Sequence, residues 1–69
     1  MPIVSIRMAR GRGIDQKRRL AAEVTKAVAQ SLELPPEHVS IQIEEFDREN
    51  WATGGELHID RFGPGCGTP

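Results

Sequence analysis

The segment 16–34, QKRRLAAEVTKAVAQSLEL, decides the fold expected of this 69-residue chain. Its apolar or small side chains recur every three or four residues, as they do on one face of an α-helix; they are Leu20, Ala21, Val24, Ala27, Val28, Ser31 and Leu32. Asp15 is a candidate N-cap, because its carboxylate can accept from the free N–H groups of the first turn. Pro35-Pro36 ends the segment, since the residue before a proline is disfavoured in the α region. The sequence therefore predicts a helix from residue 16 to about residue 34.

Two segments that flank this helix alternate apolar and polar side chains, which is the pattern of strands with one buried face. The segments are residues 2–9 and residues 39–44. Their apolar side chains are Val4, Ile6 and Met8 in the first and Val39, Ile41 and Ile43 in the second. A strand, a crossover helix and a second strand make a βαβ unit, so we predict parallel pairing of the two strands.

Glycine-rich and polar segments make up the rest of the chain. Arg10-Gly11-Arg12-Gly13 is typical of a loop between the first strand and the helix. A polar loop over 47–50 precedes Trp51, and Thr53-Gly54-Gly55-Glu56 predicts a turn before a short closing strand over 56–59. We therefore predict one α/β (α+β) domain over residues 1–62, a βαβ unit followed by a short C-terminal hairpin. Residues 63–69 are predicted to be a flexible tail rich in Gly and Pro.

The size of the chain limits how it can be stabilised. A domain this short has a thin core and commonly needs disulfides, metals or oligomerisation. The single cysteine, Cys66, cannot form an intrachain disulfide, and His38 and His58 are too isolated to form a metal site. We therefore expect a homo-oligomer, with His58 in the tail or at an interface. No apolar run is long enough for a membrane span and no signal peptide opens the chain, so we expect a cytoplasmic protein.

The charges are distributed unevenly along the chain. The formal net charge is −1, which gives no support to nucleic-acid binding. Six cations nevertheless fall in the first nineteen residues: Arg7, Arg10, Arg12, Lys17, Arg18 and Arg19. This basic third of the chain would suit a small anionic substrate. The last three of these cations are expected on a solvated face.

Pro2 is the candidate for chemistry at the start of the chain. If Met1 is removed, the nitrogen of Pro2 becomes a secondary amine that can act as a base, an acid or a nucleophile. An apolar pocket beside cationic side chains would lower the pKa of such an amine towards neutrality, where general-base catalysis is efficient. The alternative is that Pro2 only begins an edge strand.

Several of these features, in order, resemble the 4-oxalocrotonate tautomerase family, the short-chain branch of the tautomerase superfamily. The matching residues are Met1-Pro2-Ile3, Gly11-Arg12, Asp15-Gln16-Lys17, the proline before the second strand, and an aromatic followed by Gly54-Gly55-Glu56-Leu57. They recur with near-identical spacing over residues 2–57. The resemblance implies a hexamer, built as a trimer of dimers. It also implies a proline that moves a proton between carbon and oxygen of an enol or dienol acid, without a cofactor.

The resemblance also assigns roles to individual residues. Pro2 matches the family's catalytic base. Arg12 matches an arginine that binds a substrate carboxylate across a subunit boundary, and Trp51 matches an aromatic that keeps the proline pocket apolar. Ser40 departs from the pattern, because the best-known members carry a second substrate-binding arginine there. Arg10 is an additional cation where those members carry an acid, and it could supply charge from another direction.

The resemblance implies an isomerase that acts on 2-hydroxydienoate or arylpyruvate-enol acids, such as those of aromatic catabolism. Without the second arginine, we expect either weak activity on dicarboxylate dienols or a shifted substrate, such as a monocarboxylate enol, which needs only one anion anchor. A hydratase- or dehalogenase-like reaction stays open, in which a protonated proline works with a separate carboxylate. The superfamily's dehalogenases carry that acid at the position of Thr53, which argues against this alternative. A non-catalytic assembly subunit whose site has decayed at Ser40 also stays open.

Overall fold

The predicted βαβ unit is present in the computed structural model, which describes residues 2–63. In chain order the elements are β1 (Ile3–Ala9), α1 (Ile14–Leu32), β2 (Ser40–Phe46), β3 (Ala52–Thr53), β4 (Glu56–Leu57) and α2 (His58–Phe62). Short 3₁₀ turns at Pro36–His38 and Arg48–Asn50 come before and after β2. β1 and β2 pair in parallel, and β3 and β4 form an antiparallel hairpin, so both predicted pairings are confirmed.

Helix α1 begins two residues earlier than predicted. Gly13, not Asp15, is the N-cap, and the side-chain Oε1 of Gln16 accepts from the Gly13 N–H at 3.1 Å. Asp15 lies inside the first turn, where its carboxylate faces the positive end of the helix dipole. The same carboxylate accepts from Arg18 at 2.8 Å. The prediction of Asp15 as the N-cap was therefore wrong, because the helix begins one residue after Gly13 and the Gln16 side chain accepts from the Gly13 N–H.

The residue that follows the last turn of α1 has the left-handed backbone conformation. Glu33 has φ 55° and ψ 49°, and the N–H of Leu34 donates to the carbonyl of Ala29 at 2.9 Å. This 6→1 bond satisfies a carbonyl that the last helical turn leaves free. The helix thus ends at Leu32, two residues before the predicted end, because Leu34 precedes Pro35 and is disfavoured in the α region.

The sheet packs one face against α1. Val4 lies beside Ile41 and Ile6 beside Ile43 in the register, and these four side chains are half-buried while their neighbours in sequence alternate outward. The inward face of α1 differs from the predicted stripe: its residues are Lys17, Leu20, Ala21, Val24, Thr25, Val28 and Ala29. Leu32, predicted to be inward, is 56% exposed. Among the helices within residues 2–63, none has the length and apolar content that a membrane span needs.

Two boundaries in the second half of the chain also differ from the prediction. β2 continues through Phe46, two residues further than expected. The predicted closing strand over 56–59 is only Glu56–Leu57, and the chain turns into α2 at His58. The predicted tail lies outside the described residues except for Gly63, whose N–H donates to the Ile59 carbonyl at 3.0 Å. The division into a domain and a tail stays a prediction.

Candidate active site

Pro2 and Ser40 lie at the amino end of the β1–β2 ladder. The backbone N–H of Ser40 donates to the carbonyl of Pro2 at 3.0 Å, which is the first bond of the ladder. Pro2 is half-buried, and Ser40 is the register partner of Ile3. Parallel pairing therefore brings the candidate base and the residue at the family's second arginine position together at one edge of the sheet.

Arg10 lies at the opposite end of the same ladder. Its backbone N–H donates to the Phe46 carbonyl at 2.9 Å, and its Nε donates to Oδ1 of Asp47 at 2.7 Å. The side chain of Arg10 is 61% exposed and that of Asp47 is 49% exposed. An ion pair in this setting is screened by water.

The length of β1 separates these two groups of residues. Eight residue steps join Pro2 to Arg10, and an extended strand rises about 3.3 Å per residue, so the separation is about 25 Å. Within one chain, the structure brings Pro2 together with Ser40 at one end of the ladder and places Arg10 at the other. Arg12, which follows β1, and Trp51, which follows β2, lie beyond that other end but line different cavities. The structure keeps these residues apart from Pro2.

Arg12 lines a small cavity between the β1–α1 loop and the helix. The cavity has a volume of about 200 Å³ and is lined by Met8, Arg12, Gln16, Lys17 and Leu20. Arg12 is half-buried there. An arginine over an apolar wall offers a planar guanidinium that can bind a carboxylate with two parallel hydrogen bonds.

Lys17 and Glu45 form an ion pair on the inward face, beside this cavity. Lys17 Nζ lies 2.5 Å from Glu45 Oε1, and the two side chains are 27% and 16% exposed. The other oxygen of Glu45, Oε2, is buried and has no hydrogen-bond partner among residues 2–63. The expectation that Lys17 is solvated was therefore wrong. Extending the alternation of β2 from Ile41 and Ile43 to residue 45 would have placed Glu45 inward, which is the signal that the prediction missed.

Trp51 lies between two other aromatic rings. The imidazole of His58 stacks on the indole with ring centres 5.0 Å apart and planes 15° apart. Phe46 meets the indole edge-on at 6.2 Å. The indole also lines an open cavity of about 310 Å³ with Phe46, Arg7 and Asn50. A flat apolar wall beside a cation suits a small planar acid.

Arg48 is a buried residue that the sequence did not reveal. It is 8% exposed, although it belongs to the polar segment 47–50. Its Nη1 donates to the carbonyls of Phe62 at 3.1 Å and Gly63 at 2.9 Å. These bonds satisfy free carbonyls at the end of α2. The burial of Arg48 could not be predicted, because its partners lie far along the chain and leave no local signal.

Within one chain the candidate groups lie in three places: Pro2 at the amino end of the ladder, Arg12 in one cavity and Trp51 in another. Within residues 2–63, no three His, Cys, Asp or Glu side chains are grouped so that they could hold a metal ion. The chain is thus a small α+β protein built on a βαβ unit. A proline stands at the head of β1, an arginine follows β1, and an aromatic precedes a Gly-Gly hairpin.

The chain belongs to the tautomerase family. The model of that family, described as tautomerase enzyme, matches residues 2–61. This match confirms the family that the sequence resembles, and the parallel β1–β2 pair with α1 and the small hairpin is the tautomerase fold.

Individual relatives agree with this assignment. A probable tautomerase of Listeria monocytogenes is 40% identical over 60 residues, which cover 87% of this chain and 98% of the relative. A 2-hydroxymuconate tautomerase of Pseudomonas putida is 39% identical over 57 residues, covering 83% of this chain and 90% of the relative. The structure is also similar to a heterohexamer 4-oxalocrotonate tautomerase of Chloroflexus aurantiacus, with a TM-score of 0.83, 30% identity and coverage of 87% and 97%.

Proposed function

We propose that this protein is a cofactor-independent tautomerase that uses the amine of Pro2 as its general base. The observation that carries the proposal is Pro2 at the head of β1 in a chain of the tautomerase family. In the proposed reaction, the Pro2 nitrogen takes the proton of the enol oxygen and returns a proton to carbon. The electron pair of the O–H bond becomes the C=O bond, and the C=C pair forms the new C–H bond. One group can perform both transfers because the amine is neutral before and after.

The cations at the other end of the ladder would bind the substrate's anion. Arg12 is the proposed anchor for the carboxylate, because its guanidinium can bind two oxygens at once. Arg10 is a weaker candidate, since its Nε already donates to Asp47. Trp51 would form the apolar wall that excludes water, which strengthens these charge interactions and lowers the pKa of the Pro2 amine.

Such a site requires more than one copy of the chain. Pro2 and Arg12 lie near opposite ends of β1, and the length of the strand prevents their meeting within one subunit. A second copy could bring its arginines to the Pro2 of the first. We propose a hexamer, which is the assembly of the 4-oxalocrotonate tautomerase of Chloroflexus aurantiacus, although that protein is a heterohexamer.

Exposed apolar side chains support assembly independently of the relatives. Ile3, next to Pro2, and Ile14 are each 62% exposed, and Phe62 is 43% exposed. Only Ala29 is a buried apolar residue within residues 2–63. A domain that buries so little apolar surface gains stability by covering these residues with other subunits.

The proposed substrate is a small enol acid with one carboxylate, such as an arylpyruvate enol. Ser40 can offer a hydroxyl but no positive charge at the position where the family's best-known members carry arginine. A second carboxylate would therefore lack a charged partner there, and 2-hydroxydienoates with two carboxylates should react more slowly. The reaction would take place in the cytoplasm.

The decisive experiment combines mass spectrometry with turnover of phenylenolpyruvate, followed by its ultraviolet absorbance. We expect the purified protein to lack Met1 and to gain one adduct on Pro2 after incubation with 3-bromopropiolate. Pro2→Ala should lower kcat/KM by about 10² to 10⁴-fold. A Cys66→Ser variant that is modified equally well excludes reaction at the thiol.

Retention of Met1, or full activity of Pro2→Ala, would overturn the proposal. An unmodified Pro2 with no turnover would favour the non-catalytic subunit. Turnover of 3-haloacrylates without enol turnover would favour the dehalogenase-like reaction. That outcome is not expected, since the position of the required acid holds Thr53, whose hydroxyl is hydrogen-bonded to His58 Nε2 at 3.0 Å.

A further inference from the structure

The hairpin fixes Trp51 and His58 as cross-strand partners. Gly54 and Gly55 have φ values of +62° and +86°, the left-handed backbone that a two-residue hairpin turn requires. With Ala52 paired to Leu57, the next pair outward is Trp51 and His58. The His58 N–H accordingly donates to the Trp51 carbonyl at 2.8 Å.

The side chains of this pair also contact each other. The imidazole and indole rings are nearly parallel, with centres 5.0 Å apart, so His58 covers one face of the indole. The imidazole is itself held on two sides. Its Nε2 is 3.0 Å from the hydroxyl of Thr53, and the ring of Phe62 meets it edge-on at 5.3 Å.

These contacts leave the indole little freedom to rotate. His58 blocks one face, and Phe46 contacts the ring edge-on. The remaining surface of the indole lines the cavity that also contains Arg7 and Asn50. Stacked and edge-to-face aromatic pairs are favoured geometries, so the two rings together select one orientation of the cavity wall.

We infer that His58 is a positioning residue for the tautomerase reaction, which holds the Trp51 indole in the orientation that closes the site over the substrate. The inference rests on the proposed function, because it takes Trp51 as a wall of the active site. His58 itself touches no reacting atom in this mechanism. Its imidazole acts through the indole, and the Thr53 hydroxyl and the Phe62 ring hold the imidazole in place.

The test uses the intrinsic fluorescence of Trp51, the chain's one tryptophan, together with turnover of phenylenolpyruvate by the intact oligomer. His58→Ala should shift the emission to longer wavelength, increase quenching by acrylamide and lower kcat/KM about tenfold. His58→Phe keeps an aromatic ring on the indole and should restore most of both signals. Thr53→Val removes only the hydroxyl contact and should have a smaller effect of the same sign.

A double-mutant comparison separates positioning from direct participation. If His58 acts only through Trp51, adding His58→Ala to a Trp51→Ala chain should change kcat/KM by less than about twofold. His38→Ala is the matched control, because His38 is an exposed imidazole on the 3₁₀ turn Pro36–His38. It should leave fluorescence and turnover unchanged.

Three results would overturn the inference. One is unchanged emission and turnover in His58→Ala. Another is a full effect of His58→Ala in the Trp51→Ala background, which would mean that His58 contacts the substrate directly. The third is a Trp51→Ala chain of normal activity, which would remove Trp51 from the site. The third result would leave the role of Pro2 standing, because that role is tested separately by the adduct and by Pro2→Ala.

Discussion

The two ends of the β1–β2 ladder carry different chemistry. At the amino end, residues 2–6 and 39–43 contain no ionisable side chain, and Pro2 and Ser40 are joined by a backbone hydrogen bond. At the carboxyl end the ionisable side chains are dense; they are Arg7, Arg10, Arg12, Lys17, Glu44, Glu45 and Asp47. One end offers an apolar setting for an amine, and the other offers cations for an anionic substrate.

Parallel pairing is the reason for this separation. It places the starts of both strands together and the ends of both strands together, so every residue near the start of β1 is a strand's length from the cations. One folded chain therefore holds two separate halves of the proposed site. If the halves are combined between chains, variants altered at opposite ends of the ladder should complement each other in mixed oligomers.

Mixing two inactive variants should give the largest effect. Pro2→Ala and Arg12→Ala chains, unfolded together in equal amounts and refolded, should recover about one quarter of the wild-type activity if each site takes Pro2 and Arg12 from different subunits. Random pairing gives each site an intact Pro2 half the time and an intact Arg12 half the time. The measurement is turnover of phenylenolpyruvate per total chain, and each variant refolded alone supplies the baseline.

A second mixture also tests whether each site takes Pro2 and Arg12 from different subunits. Wild-type chains mixed equally with a Pro2→Ala/Arg12→Ala double variant should also retain about one quarter of the activity. Retention of one half would mean that one chain supplies both residues, and the contrast between the two ends would then have no functional meaning.

Replacement of Arg12 alone should have the next largest effect. Arg12→Ala should lower kcat/KM on the order of 10²-fold, because a charge-assisted contact to the carboxylate is lost. Arg12→Lys should recover only part of this loss, since lysine cannot bind two oxygens with a planar fork. Steady-state kinetics on phenylenolpyruvate measure both. Arg18→Ala is the control, as Arg18 is exposed and pairs with Asp15, and a loss of equal size there would contradict a specific role for Arg12.

Lys17 tests stability at the carboxyl end rather than substrate binding. Lys17→Met should lower the free energy of unfolding by about 2 kcal/mol, because it leaves a mostly buried carboxylate without its cation. Within residues 2–63, Oε2 of this Glu45 carboxylate already has no hydrogen-bond partner. Urea unfolding at one fixed protein concentration measures the change. Adding Glu45→Leu to Lys17→Met should recover most of the lost free energy of unfolding. A Lys17→Met chain as stable as wild type would show that water screens the Lys17–Glu45 pair as well as it screens an exposed ion pair.

Arg10 should give the smallest change. Its pair with Asp47 is exposed on both sides, so Arg10→Ala should alter the free energy of unfolding by less than about 1 kcal/mol. We expect kcat/KM to fall less than in Arg12→Ala. A larger loss of activity than that of Arg12→Ala would make Arg10 the principal anion anchor of this end.

The architecture could be predicted from the sequence because its signals are local. The helical spacing around Leu20 and Val24, the alternation of Val4 and Ile6, and Pro35-Pro36 each act over a few residues. Backbone geometry then leaves a βαβ unit with parallel strands as the arrangement that buries one face of each element. The candidate residues Pro2, Arg12 and Trp51 likewise stand out in the sequence by type and position.

The side-chain contacts, in contrast, are known only from the tertiary structure. Glu45 faces Lys17 only because β2 continues past its apolar run, and Arg48 is buried only because α2 ends beside it. His58 covers Trp51 because a Gly-Gly turn sets the hairpin register and α2 begins at that residue. The Lys17–Glu45 and Arg48–Gly63 contacts join residues that are distant in sequence, and the free energies of all three contacts depend on burial and distance. A pattern of residue types along the chain determines which elements form, whereas three-dimensional packing determines which side chains become partners.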